Sequence, residues 1–146
     1  MRKLLAAIDY SDITPEVVRK AAGLADALDA KLEILHIVAP EPAFVGYEAY
    51  AYPGRDQRAE ELKKEKKLLT ETVEGVRELG IDASGYMKES PVAQGVLEFA
   101  KEHEIELIVL GTHGTGAVRR ALLGSVSHEI LHKTTIPVLL IPEPEA

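Results

Sequence analysis

Residues 103–127 read HEIELIVLGTHGTGAVRRALLGSVS. The apolar run at 105–111 has the length and composition of a buried strand. Gly111 and Gly114 follow three apart, and after nine further residues Gly124-Ser125 opens a helical run over about 125–133. A strand passing through a glycine-rich turn into a helix is the junction at which parallel sheets bind ligands. Glycines 111, 114 and 124 lack a β-carbon, which permits positive φ and close approach of the backbone to a ligand. Ser125 and Ser127 add hydroxyls and amides at a helix start, where unpaired N–H groups and the dipole favour an anion. The alternative is a set of turn glycines with a serine N-cap and nothing bound.

Outward from this junction, strands and helices alternate. LLAAI at 4–8 is a short apolar run stopped by Asp9, Ser11 and Asp12. Thr14-Pro15-Glu16 then places a capping hydroxyl before a proline at a helix start, and the helix runs to about Asp29. KLEILHIV at 31–38 is the second strand, ended by Pro40 and Pro42. The segment 40–54 holds Phe44, Tyr47, Tyr50 and Tyr52 and is too rich in proline and glycine for a regular element; loops of this length are lids, partner surfaces or mobile segments. A charged helix over about 55–79 carries Leu62, Leu69, Val73 and Val76 on one stripe, and Gly80 stops it. A weaker third strand spans 81–89, Ser90-Pro91 starts a third helix bearing Val92, Val96, Leu97 and Ala100, and TTIPVLLIP supplies a fifth strand fenced by Pro137 and Pro142. The expected fold is α/β: one domain over 1–146, an open five-stranded parallel sheet with helices on both faces, Rossmann-like, in strand order 3-2-1-4-5. The strands ending at Asp9 and Gly111 then flank the ligand cleft.

Composition narrows the partners. The net charge of −7 works against condensation on nucleic acid or an anionic membrane, while a phosphorylated small molecule can still be met by backbone N–H groups. With no cysteine there is no disulfide, thiolate zinc site or iron–sulfur cluster. Asp9 interrupts the first apolar run well short of the roughly 7–15 residues of a signal peptide, and no run approaches the ~18 of a membrane span. A cytoplasmic protein is expected.

Neither G-x-G-x-x-G nor G-x-x-x-x-G-K-[ST] occurs, and without the lysine of the latter the turn reads as a binding site before a phosphoryl-transfer site. Asp9 fits a ribose or adenine partner, and equally a turn or N-cap residue before the first helix. His113 is either a phosphate donor or an exposed turn residue; Arg119 and Arg120 read as a solvated basic pair. His128-Glu129-Ile130-Leu131-His132 spells the H-E-x-x-H zinc pattern. Helical geometry, however, sets Val126 and Ile130 on one side and both histidines nearly opposite, toward solvent, and little chain remains for a third ligand. His36 reads as a satisfied core or rim histidine and His103 as a helix-end surface residue.

The pattern G-x-x-G, nine residues, G-[ST], filled at every fixed position by Gly111, Gly114, Gly124 and Ser125, resembles the universal stress proteins, in the branch that binds ATP. The likeness extends from Asp9-Tyr10-Ser11 and LHIV to the final PVLLIP. The resemblance implies an adenine nucleotide (ATP, ADP or AMP) across the ends of strands one and four, with Asp9 beside the nucleoside and backbone groups of Ala7 and Ile37 near the adenine. The turn Gly111, Thr112, His113, Gly114, Thr115, Gly116, Ala117, with Ser125, Val126 and Ser127, would hold ribose and phosphates, accompanied by Mg²⁺ or Mn²⁺. It also implies a homodimer through residues 136–141, consistent with a fifth strand at a sheet edge. The function implied is a stress-response module that acts through nucleotide-dependent conformation or a further protein partner, with at most slow hydrolysis. The alternatives are a true ATP-hydrolysing enzyme and a dimeric adaptor with an empty site.

Overall fold

The computed structural model describes residues 2–40, 55–113 and 123–144. Among the described residues nine elements alternate: β1 (Lys3–Ile8), α1 (Thr14–Leu28), β2 (Lys31–Val38), α2 (Arg55–Glu78), β3 (Ala83–Glu89), α3 (Val92–Glu102), β4 (Leu107–Gly111), α4 (Ser125–Lys133) and β5 (Val138–Ile141). All strand pairs are parallel and the order is β3-β2-β1-β4-β5, as the alternation predicts.

The apolar strand runs divide by their two-residue period between two cores. Leu4, Ala6, Ile8, Leu32, Ile34 and Val109 face Val17, Ala21 and Ala25 of α1 and Leu69, Val73 and Val76 of α2. Leu5, Leu35, Ile37, Ile108 and Leu110 face Ala93, Val96, Phe99 and Ala100 of α3 and Ile130 of α4. This division follows from the connections. The chain steps from β1 outward to β3, then returns to β4, and right-handed crossovers in opposite directions place their helices on opposite faces.

Helix boundaries refine the expectations from sequence. Helix α2 ends where Gly80 takes φ 85, the left-handed conformation that glycine adopts without strain. The Thr14 hydroxyl does not cap α1: Ile13 holds the N-cap position without a side-chain bond, and Thr14 Oγ1 instead donates to Asp9 Oδ1 at 3.4 Å. Similarly Pro91, not Ser90, caps α3, and Ser90 Oγ donates to the Pro91 carbonyl at 2.9 Å. In both cases a nearer acceptor takes the hydroxyl from the first-turn amides. No described helix is long and apolar enough to cross a membrane. The aromatic segment of 41–54 lies outside the described residues.

Two glycines separate packing from propensity. A β-carbon on Gly85 of β3 would stand 2.6 Å from Val73 Cγ2 of α2, whereas one on Gly23 of α1 meets nothing within 4 Å. Gly85→Ala is expected to lower the unfolding free energy by about 1–3 kcal/mol through overpacking. Gly23→Ala should raise it by up to about 1 kcal/mol through helix propensity. Urea titrations of the two variants against the unsubstituted chain check both signs.

Candidate functional site

The carboxyl ends of β1, β2 and β4 and the start of α4 enclose a cavity of about 490 Å³, a size typical of small-molecule sites. Ala7, Asp9, Ile37, Gly111, His113, Gly124, Ser125, Val126 and Ser127 line it, so the structure brings these sequence-predicted residues together. Thr112 is not on the wall. Its amide donates to Ile141 O at 3.0 Å, its carbonyl accepts from Gly124 N at 2.7 Å, and its hydroxyl lies 3.1 Å from His113 Nδ1, so it ties β4 to β5 and to α4. Gly114, Thr115, Gly116 and Ala117, with Arg119 and Arg120, lie outside the described residues.

Asp9 holds the turn at the end of β1. Its Oδ1 accepts from Ser11 N at 3.0 Å and Ser11 Oγ at 2.6 Å, an Asx turn that Thr14 Oγ1 also joins. The turn reading and the wall reading of Asp9 therefore hold together: one oxygen fixes the loop of a residue that lines the cavity.

Across the cavity, Gly124 is the N-cap of α4 in extended conformation, φ −63 and ψ 154, with no side-chain cap and no acidic residue in the first turn. The first-turn amides, with the positive end of the helix dipole behind them, form an anion-favouring edge. Ser127, 5% exposed, donates its hydroxyl to Gly111 O at 2.8 Å and so fastens this helix start to the end of β4. Neither Gly111 nor Gly124 has positive φ, which corrects the expectation from their type: among the described glycines only Gly80 does. Gly111 is needed for space, since a β-carbon there would stand 2.9 Å from Ile13 Cγ2 and 3.0 Å from the His113 carbonyl.

The side assigned to Val126 also changes. Ser127 and Ile130 form the buried face of α4, while Val126 is 39% exposed at the cavity rim. Ile130 is buried as the apolar spacing predicts, and Ser127 takes the place of Val126 beside it, its hydroxyl meeting a buried acceptor. His128 and His132 are exposed as expected, their rings 6.0 Å apart. Among the described residues no three histidine, aspartate or glutamate side chains gather as a metal site.

His113 is 7% exposed and faces the cavity, so the reading as an exposed turn residue falls. His103 is half-buried, stacked on Phe99 at 3.8 Å with Tyr86 edge-on, which makes it part of a ring cluster and not a free surface residue. His36 is 3% exposed; its Nδ1 lies 3.1 Å from Ile8 O and its Nε2 3.5 Å from Glu65 Oε2. Tyr10, in left-handed conformation at φ 57, sets its ring edge-on to His36 at 5.0 Å and shares a 3.2 Å hydrogen bond with Thr72 of α2. Burial pushes the Tyr10 phenol above its ordinary value; the Thr72 bond opposes this, and the charges of Glu65 and Glu71 add to it. Ile13, Glu65 and Val92 also line the cavity and were not legible in the sequence: Val92 reads as an apolar position of the third helix, Ile13 carries no signal of its own, and Glu65 is one acid among many in α2.

Ser127→Ala is expected to cost about 0.5–1.5 kcal/mol of stability by removing the bond to Gly111. Amide exchange in the first turn of α4 should quicken with it. Unchanged exchange there would contradict the tethering role.

The universal stress protein family profile matches residues 1–142. The chain is 33% identical over 144 residues to the universal stress protein YxiE of Bacillus subtilis, covering 95% of this chain and 97% of that one. Its fold superposes on the universal stress protein UspA of Lactobacillus plantarum with a TM-score of 0.79 at 22% identity, over 96% of this chain and 97% of that one. It superposes on the Archaeoglobus fulgidus universal stress protein in complex with dAMP with a TM-score of 0.68 at 22% identity, over 97% of each chain. With the sheet order and this match along nearly its whole length, the chain belongs to the universal stress protein family.

Proposed function

We propose that this protein binds an adenine nucleotide, ATP or its products ADP and AMP, and acts as a nucleotide-responsive module in the cytoplasm with at most slow hydrolysis. The observation that carries this reading is the cavity itself: one end is walled by Ile37, Val38 and Val92, the other by Gly111 and the uncapped first turn of α4. An apolar end suits a base and an amide-lined end suits phosphates. The dAMP complex of the Archaeoglobus fulgidus relative supports the choice of nucleotide.

In this reading backbone groups of Ala7 and Ile37 meet the adenine and Asp9 meets the nucleoside. The turn from Gly111 to Ala117, with Gly124, Ser125, Val126 and Ser127, meets ribose and phosphates. Mg²⁺ or Mn²⁺ would arrive with the phosphates, whose oxygens suit a hard cation better than this wall does. No lysine or arginine lines the cavity among the described residues, which favours retention of the nucleotide over its turnover.

The reading includes a homodimer through residues 136–141. Strand β5 is at the sheet edge, and Leu139 on it is 38% exposed. A further protein partner would read the nucleotide state.

Isothermal titration with ATP and Mg²⁺, and mass spectrometry of ligand released from gently purified protein, test the binding. Saturable 1:1 binding is expected, and Gly114→Ala should weaken it at least severalfold; no bound nucleotide by either method would end the reading. Light scattering at micromolar concentration should give twice the chain mass, and Leu139→Glu should halve it; a monomeric mass for the unsubstituted chain contradicts the dimer.

A further inference from the structure

The cavity is electrostatically polarised from end to end. At the α4 end lie the first-turn amides; at the β2 end, beyond Ile37 and Val38, the one described residue that α2 contributes to the wall is Glu65. A carboxylate at this end repels phosphates, while the helix start attracts them. A nucleotide is thereby oriented with its ring toward Glu65.

The charged form of His36 holds Glu65 in place from behind. A carbonyl oxygen only accepts, so the 3.1 Å contact between His36 Nδ1 and Ile8 O places the hydrogen on Nδ1 and fixes the ring plane. The other nitrogen, Nε2, is buried without a hydrogen bond and lies 3.5 Å from Glu65 Oε2; in the imidazolium it also carries a hydrogen and pairs with that carboxylate. The Glu65 side chain remains 34% exposed. Tyr10, edge-on to the same imidazole and bonded to Thr72 about two turns further along α2, braces this stretch of helix against the ends of β1 and β2.

A carboxylate accepts hydrogen bonds and has none to give. Facing an exocyclic amino group it gains a charge-assisted bond, and facing a ring carbonyl it sets two acceptors against each other. We propose that Glu65, positioned by His36, is a specificity-determining residue of the cavity that selects a purine with an amino group at position 6 over one with a carbonyl there. The proposal rests on the nucleotide reading above.

The experiment measures the dissociation constants of ATP and ITP, which have opposite hydrogen-bonding patterns at position 6 and at the adjoining N1, for the full chain and for Glu65→Gln and His36→Asn. The unsubstituted chain is expected to favour ATP by about tenfold or more, since a site built to bond one polar group rejects its opposite. Glu65→Gln, whose amide offers both a donor and an acceptor, should bring the two constants to within about threefold of each other. His36→Asn, which is too short to reach Glu65, should lower the ratio in the same direction, a change that simple loss of stability would not produce. An ATP-to-ITP ratio unchanged in Glu65→Gln overturns the assignment to Glu65, and one unchanged only in His36→Asn overturns the positioning role. Failure of the unsubstituted chain to bind either triphosphate overturns the nucleotide reading itself.

Discussion

Strand β4 pairs with β1 and not with its predecessor β3, and the rest of the structure depends on that pairing. Leu4, Leu5 and Ala6 stand in register with Leu107, Ile108 and Val109, so the sheet centre is built from segments a hundred residues apart. Because the chain reverses direction here, the connection after β1 leaves toward one face and that after β4 toward the other. Neither covers the gap between them. The cavity is the space that this divergence leaves open, which is why residues as distant as Asp9 and Ser127 share a wall.

The local and global electrostatics of the chain have opposite signs. An overall charge of −7 repels polyanions at long range, where the summed charge is felt. Within a few ångströms of α4 the relevant charges are backbone dipoles, undiluted by any acidic side chain in the first turn. Salt screens the first more than the second, because partly enclosed groups are less exposed to mobile ions. A small phosphorylated ligand and a nucleic acid therefore meet different surfaces of the same molecule.

Element types and sheet order were legible because each strand is a compact apolar run and each boundary carries proline, glycine or a short polar residue. LLAAI, LHIV and LIVLG have no competing helical period, and alternation with helices then leaves few topologies. What was not legible depends on partners far along the chain. Thr14 looks like a cap until Asp9 is found beside it, and Val126 looks like the inner face of α4 until the Gly111 carbonyl claims Ser127. Gly111 was recognised for its backbone freedom, whereas its neighbour Ile13 shows that lack of volume is the reason for it. Phe99 fits the helical spacing of α3, three residues after Val96, and is buried with it; only its stack with His103 and Tyr86 needed the fold. Glu65 had no signal at all, since only tertiary placement separates it from the other acids of its helix.

The bond from Ser127 to Gly111, together with that from Gly124 N to Thr112 O, closes both ends of the excursion between β4 and α4 onto the same short piece of backbone. Its consequence is entropic. The first-turn amides are oriented before any ligand arrives, so the freedom they would surrender on association has already been lost during folding. Affinity at that edge is then limited by desolvation and by the fit of the incoming group, and its temperature dependence should carry little contribution from ordering of the helix start.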